Sequence, residues 1–340
     1  MYTYLSMSET IPLWRKILSQ NFTRWETLAA YLNLSESVGI RSKNFPLNLP
    51  QRLAAKIEKG NIHDPLFLQF VPQVKELIAT QGFFKDPVGD ESARCSPKLL
   101  KKYNQRVLLV TTGVCAMHCR YCFRQNFDYA KQNTPFDKEL ALIQADPSIN
   151  EVILSGGDPL SLTNEVLKSL IEALEAIPHV RNLRFHSRFP IGIPERIEEG
   201  FLNILQRSRL QTFFVIHSNH SREFDEDVLA ALKKIRLTGA VLLNQSVLLK
   251  GVNNHVHTLA TLCNLLVDNG ILPYYLHQFD QVQGGAHFEV PEKEGIALIQ
   301  ELSSLLPGYA VPKYVKEIAG EASKTPCSSS NTSSFTYKAY

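Results

Sequence analysis

Disulfide-forming cysteines, long apolar runs and a surplus of one charge are all scarce in this chain. Its 340 residues hold six cysteines, too few for a disulfide-built scaffold, and three of the six crowd into eight consecutive positions. No run approaches the length of a membrane-spanning helix. The opening stretch MYTYLSMSETIPLWRKILSQ lacks an apolar core of leader-peptide length behind a basic start. With 36 basic and 33 acidic residues the formal net charge is +3, which is no electrostatic footprint of a dedicated nucleic-acid binder. A G-x-G-x-x-G turn after the first strand and a Walker P-loop are both missing, which argues against a nucleotide-binding fold. Together these absences lead us to expect a soluble, cytoplasmic protein whose thiols serve as ligands.

What is present is a core-forming composition, 44% hydrophobic, and a change of texture near residue 100. Before it, IPLWRKILSQ, RWETLAAYLNL, LPQRLAAKIEKG and FLQFVPQVKELIAT carry apolar residues at three- and four-residue spacing. This predicts a helical accessory region, broken at Pro46, Pro50, Gly60 and Pro65. Short β-rich runs then start at Arg106, Glu151, Leu183, Thr212, Ala240 and Leu272, with a weaker one at Gly308. Amphipathic patterns such as NEVLKSLIEALEAI and EDVLAALKKI lie between them, and by subtraction the starts are 28 to 45 residues apart. That is the period of a βα unit, so the fold class is α/β with a parallel sheet, either curled into a whole or partial barrel or laid flat and doubly wound. The domain reading is 1–100 as helical accessory region, 101–315 as the βα core, and 316–340 as a C-terminal segment with a Ser/Thr-rich tail expected to fray. Chemistry in parallel barrels gathers at the C-terminal strand ends, which here read TTGVC, SGGD, HSR, HSN, NQS and QFD.

The segment CAMHCRYC sets Cys115, Cys119 and Cys122 at C-x3-C-x2-C spacing just beyond the first strand. Thiols buried as small hydrophobes are the bland reading, but Arg120, Arg124 and Gln125 in the same segment make a core stripe a poor fit. Structural zinc needs four ligands, and His118 would supply the fourth only from a position adjoining Cys119. Three thiolates on a short loop suit a cubane iron–sulfur cluster, each sulfur capping one iron and the fourth iron left open. Cys95, Cys263 and Cys327 are distant in sequence, which leaves open whether one of them folds close.

The cysteine loop after the first strand of a βα repeat resembles the radical S-adenosylmethionine (SAM) superfamily, and SGGD at the next strand end resembles that superfamily's glycine-rich motif. CAMHCRYCFR, ILSGGDPL, NQSVLLKGVNN, PYYLHQFD and SKTP together resemble the lysine 2,3-aminomutases, from roughly Tyr103 to Pro326. The resemblance implies an isomerase built on a partial (β/α)6-type radical SAM barrel. It implies a 4Fe-4S cluster on Cys115, Cys119 and Cys122, with S-adenosylmethionine received at Gly156, Gly157 and Asp158. It also implies pyridoxal 5′-phosphate in Schiff-base linkage to Lys324 of GEASKTP. In that chemistry a 5′-deoxyadenosyl radical takes hydrogen from Cβ of lysine while nitrogen migrates from Cα to Cβ. By the same matching, Arg106 lies near the pyridoxal phosphate group and Arg124 grips the substrate carboxylate, while Asp280 and Glu317 bind the ε-ammonium group. Two carboxylates there favour a cationic side chain over glutamate. Without the resemblance, Lys324, Arg106 and Arg124 would read as solvated surface side chains.

Some positions depart from the catabolic members of that family. Glu317 stands where they carry an aspartate, and His255 takes the place of a cysteine that binds an intersubunit zinc. Only Cys327 remains of their C-terminal cysteine cluster, with 16 residues following Lys324, so that zinc is expected to be absent and the oligomeric state is open. CRYCFR, PYYLHQFD and GEASKTP look most like the bacterial branch that makes (R)-β-lysine for elongation factor P, to which a separate ligase-like enzyme attaches it. A low-potential flavodoxin or ferredoxin is the expected reductant. The rival readings are a maker of free β-lysine, an aminomutase for another amino acid, and a zinc-stabilised Cys/His interaction module.

Overall fold

Runs such as RVLLVTT and EVILSG, apolar and rich in β-branched residues, become strands buried in the middle of a single sheet. The computed structural model describes residues 11–42, 45–129 and 135–328. Its strands are β1 (Arg94–Ser96), β2 (Leu99–Tyr103), β3 (Arg106–Thr112), β4 (Glu151–Gly156) and β5 (Asn182–Ser187). They continue as β6 (Gln211–His217), β7 (Val241–Val247), β8 (Leu272–His277), β9 (Lys313–Lys316) and β10 (Thr325–Pro326). The order across the sheet follows the chain, β1 to β10, without a reversal. β3 to β9 are parallel throughout. β2 and β1 extend one edge antiparallel, and β10 does so at the other.

A doubly wound sheet needs a point where the strand order turns back. Here there is none, so the flat alternative is set aside and the sheet is an α/β barrel left partly open. Its curvature is visible in side chains: Tyr103 at the end of β2 donates its phenol proton to Glu317 just beyond β9 at 2.7 Å. Strands from opposite ends of the order are thus within hydrogen-bonding reach.

Helices cover the outer face for simple reasons of spacing. In Asn164–Glu175 the buried residues Leu167, Leu170, Ile171 and Leu174 recur at three and four, and the side chain of Thr163 caps the start by accepting from the Val166 N–H. Glu226–Leu237 repeats the arrangement with Asp225 as its cap. Between helices and sheet, Phe185, Phe201 and Phe214 pack with ring centroids 5.7 to 6.4 Å apart. The alternation inside β5 places Leu183, Phe185 and Ser187 on the buried outer side, while Arg184 and His186 line the inner cavity.

The accessory region differs from expectation in one respect. Helices Leu13–Ser19, Trp25–Leu32, Gln51–Lys56 and Pro65–Phe70 form, but helix does not continue to residue 100. Pro72 interrupts FLQFVPQVKELIAT, leaving only the short turn Val74–Leu77, and the β1–β2 hairpin begins at Arg94. The weak run at Gly308 becomes a strand only from Lys313. Among the described residues no helix is long and apolar enough to cross a membrane.

This accessory layer grips the cysteine loop by its backbone. Asn21 and Asn48 donate to the carbonyls of Ala116 and Cys115 at 2.8 and 3.2 Å. The N–H groups of His118 and Arg120 donate to the carbonyls of Asn48 and Gln69 at 2.9 and 2.8 Å. The Arg120 side chain, almost fully buried, is bound by Glu76 and by the carbonyl of Phe45. Replacing Phe185, which has no exposed surface, should remove the centre of the aromatic layer. Phe185→Ala is expected to cost about 3–5 kcal/mol, measured as a lowered chemical-denaturation midpoint.

Candidate active site

The inner face of the curled sheet encloses a cavity of about 740 Å³ reaching the C-terminal strand ends. All eleven residues singled out from the sequence line it: Arg106, Cys115, Cys119, Cys122, Arg124, Gly156, Gly157, Asp158, Asp280, Glu317 and Lys324. Cys95, Cys263 and Cys327 do not: Cys95 is exposed, and the other two are buried in a separate apolar cluster with Leu259, Leu302 and Tyr314. The question of a fourth cysteine is thereby answered, because none reaches the cavity.

At one end of the cavity stand the three thiols. Burial pushes all of them up, Cys122 to about 12 with the charge of Cys119 adding to it, and Cys115 well above its ordinary value. Such groups stay neutral as bare thiols and become thiolates when a metal supplies positive charge. Among the described residues no group of three Cys, His, Asp or Glu side chains is drawn tightly enough around one ion. His118, moreover, spends Nδ1 on the Pro46 carbonyl at 2.8 Å and stacks on Phe45. The engaged His118 ring disfavours a tetrahedral zinc that would need it as fourth ligand. Thiols spread over one loop fit a cubane, where each ligand caps a different iron.

The SGGD turn is stitched to this loop. Gly157 N–H donates to the Thr112 carbonyl at 2.6 Å and Asp158 N–H to that of Val114 at 2.8 Å. Gly156 has φ +114°, and a Cβ on Gly157 would meet the Val114 carbonyl oxygen at 2.4 Å, so both positions require glycine. Asp158 is placed differently from a free ligand. Its carboxylate accepts from Ser187 Oγ and from the N–H groups of Leu160, Arg188 and Phe189, all within 3.1 Å. It pins the start of the β4 turn to the end of β5, and burial still pushes its carboxyl up to about 6 against those hydrogen bonds.

At the other end, charges alternate along a chain. Lys324 Nζ is 2.7 Å from Glu317, whose carboxylate also meets Tyr103 at 2.7 Å and Lys102 at 3.5 Å. Lys102 lies 2.8 Å from Asp90, and Asp90 holds Arg124 Nε at 2.6 Å. Burial disfavours ionising Asp90, yet Arg124 and Lys102 together hold its carboxyl down to about 2. Burial likewise works against Glu317, but Lys324, Tyr103 and Lys102 bring it below the ordinary carboxylate range. Asp280 is the exception. Among the described residues no side chain hydrogen-bonds its carboxylate, and burial, opposed by Lys324 and aided by Glu317, pushes it up to about 7. Arg106, lying over the Tyr103 ring at 5.2 Å, completes this end.

A model for a 4Fe-4S single cluster domain matches residues 104–183, the span holding the three thiols and the glycine turn. The L-lysine 2,3-aminomutase of Escherichia coli (strain K12) is 46% identical over 287 residues, covering 84% of each chain. That of Haemophilus influenzae is 44% identical over 322 residues, covering 92% of this chain and 94% of its own length. The chain belongs to the L-lysine 2,3-aminomutase family. It is an enzyme, an isomerase of the radical SAM type. The L-lysine 2,3-aminomutase of Clostridium subterminale is a further relative, 33% identical and covered over 77% of its length. A solved radical SAM methyltransferase from Sphaerobacter thermophilus overlaps with a TM-score of 0.45 at 17% identity, covering 64% of this chain and 68% of that one. The fold assignment rests on strand order and pairing alone.

Several cavity residues of this aminomutase stand outside those singled out from the sequence. Asp90, Lys102 and Tyr103 come from the hairpin region, where no motif marks them. His186, His217 and His277 line the cavity from β5, β6 and β8, and strand register sets His217, Gln245, Tyr275 and Lys313 in one row across β6 to β9. The HSR and HSN strand ends and the segment PYYLHQFD were the available signal. Burial holds all three imidazoles neutral, His217 down to about 3, and His217 shares a 2.7 Å hydrogen bond with Gln245. Among the described residues, no hydrogen-bond partner reaches the buried Nε2 of His186 or of His277. For Asp280 the sign of the pH effect follows from its raised value. The folded protein binds this proton more tightly than the unfolded chain, so the group withdraws stability as pH rises from about 4 to about 7. Asp280→Asn should therefore raise the melting temperature of the cofactor-free protein, more at about pH 8 than at about pH 5; an advantage that does not grow with pH would contradict the buried-acid assignment.

Proposed function

We propose that this chain is an L-lysine 2,3-aminomutase that converts L-lysine to (R)-β-lysine, and that the product is destined for modification of elongation factor P. The observation that carries this reading is the convergence of eleven matched residues, from widely separated parts of the chain, on one cavity in a member of this family.

The three cysteines would hold the cluster, and the backbone of Gly156 and Gly157, kept in place by Asp158, would receive S-adenosylmethionine. Lys324, with Arg106, would hold pyridoxal 5′-phosphate; its ammonium group borders the cavity and lies 6.0 Å from the Tyr275 ring centroid. Bound together, these groups supply radical hydrogen abstraction and electronic stabilisation of a migrating amino nitrogen. The chain's own residues bind and orient. Arg124, fixed by Asp90 and stacked against Phe123, presents a planar fork to the substrate carboxylate. Asp280 has no competing partner, and an arriving ε-ammonium group would draw its proton off by favouring the carboxylate. Glu317 must release Lys324 before it can serve the same ammonium, and Tyr103 keeps it in position as it does so. Neutral His186, His217 and His277 line the walls without adding charge to them.

The elongation factor P assignment is supported by the CRYCFR, PYYLHQFD and GEASKTP segments and by His255 in place of a zinc-binding cysteine. A cytoplasmic flavodoxin or ferredoxin of low potential would supply the electron.

Lys324→Ala should take up iron and sulfide normally. Borohydride reduction should attach no pyridoxal phosphate to the peptide that contains position 324, as read by mass spectrometry; labelling elsewhere at parental yield would remove Lys324 from the role. Anaerobic incubation of the reconstituted enzyme with L-lysine, dithionite and S-adenosylmethionine should yield (R)-β-lysine on chiral analysis. The S enantiomer, or turnover of glutamate instead, would overturn the branch. Deleting the gene should remove a β-lysine mass from elongation factor P, whereas loss of free β-lysine alone would mark the alternative pathway.

A further inference from the structure

Arg188 follows the last residue of β5 and is buried directly beneath the cysteine loop. Its Nη1 lies 3.0 Å from Sγ of Cys119 and also donates to the phenol oxygen of Tyr121. Nη2 donates to Oε1 of Gln69 at 2.9 Å and to Oε2 of Glu223 at 2.5 Å, and the guanidinium plane sits over Phe70 at 4.8 Å. Glu223 is fully buried, and its other oxygen accepts from the N–H groups of Asn219 and His220 at 2.8 and 3.0 Å. An ion pair sunk this deep is expensive in solvation, and replacing such pairs with apolar groups of similar volume is often neutral or stabilising. Its cost calls for a purpose beyond packing. The supports also come from far apart: Gln69 and Phe70 end the helix Pro65–Phe70 of the accessory layer, whereas Glu223 lies beyond β6. Two distant parts of the fold thus hold one guanidinium against one sulfur.

We propose that Arg188 is a positioning residue that sets the reduction potential of the iron–sulfur cluster through its N–H···S hydrogen bond to Cys119, with Glu223 as the counter-charge that moderates it. The inference rests on Cys119 being a cluster ligand. Adding an electron increases the negative charge carried by the cluster and its sulfurs. A donor or positive charge at a ligand sulfur stabilises that reduced form and raises the potential. Arg188 and Glu223 are both buried, so the effect is weakly screened. Taking away the guanidinium must lower the potential. Taking away only the carboxylate's charge leaves Arg188 uncompensated and must raise it.

The test compares wild type, Arg188→Met and Glu223→Gln, each reconstituted anaerobically with iron and sulfide. Each is titrated with mediated dithionite while the electron paramagnetic resonance signal of the reduced cluster is recorded, with no S-adenosylmethionine, lysine or pyridoxal phosphate present. The midpoint is expected to fall below wild type in Arg188→Met and to rise above it in Glu223→Gln. Loosening of the fold would move both variants the same way; a common direction, or no shift in either, overturns the proposal. Should Arg188→Met take up no iron, Glu223→Gln decides alone, a rise supporting the proposal and no rise overturning it. A colourless wild type would overturn the cysteine assignment and this inference with it. A brown wild type whose variants keep its midpoint overturns the inference only.

Discussion

The constraint on which this site depends is the near-contact of two strand-end loops. Gly157 N–H reaches the Thr112 carbonyl at 2.6 Å, and no side-chain carbon fits between Gly157 and Val114. That approach fixes the cysteine loop against the glycine turn, and Asp158 then carries the register onward by binding the backbone at the start of Arg188 and Phe189. A parallel ladder would leave the strand-end loops free to diverge beyond their last hydrogen bonds. Here three successive strand ends are tied to one another, so thiols, glycine turn and Arg188 hold a common geometry without secondary structure of their own.

The accessory layer completes that arrangement from outside. The loop 115–120 has backbone groups that no strand or helix satisfies, and a buried loop of that kind is costly unless such groups find partners. Asn21, Asn48 and Gln69 supply those partners. The layer is therefore more than a cover for apolar surface: its side-chain amides and main-chain carbonyls satisfy the loop that bears the chemistry.

Inside the cavity the electrostatics are balanced by alternation. Lys324, Glu317, Lys102, Asp90 and Arg124 succeed each other with opposite signs, so Lys324, Glu317 and Arg124, three of the groups assigned to a substrate or cofactor, already have a counter-charge in the protein. Self-pairing keeps a dry, highly charged pocket from repelling itself apart. It also means that ligands must bring charge that replaces these pairs, which favours a molecule carrying an ammonium group at one end and a carboxylate at the other. Asp280 stands outside the alternation, and burial accordingly raises its proton affinity.

The parallel sheet was legible because apolar strands and amphipathic helices alternated at a steady interval, and the six main strand starts fall where that rhythm puts them. The edge strands β1, β2 and β10 were not, since short antiparallel pieces beside prolines carry no periodicity to read. Among site residues, the cysteines announced themselves by spacing, whereas Lys324, Arg106, Asp280 and Glu317 were visible only through likeness to a family. Asp90, Lys102, His186 and Arg188 were missed: a lone charged or imidazole side chain in a sequence says nothing of what faces it. By itself the sequence determined the βα repeat, the three-thiol loop and the glycine turn, because local spacing and backbone requirements are written in adjacent residues. Only the tertiary structure decided that no fourth cysteine reaches the cavity, that Asp158 binds backbone, and which charge neutralises which. Those outcomes depend on the curl of the sheet, which brings residues more than 200 positions apart, such as Tyr103 and Glu317, to within a hydrogen bond.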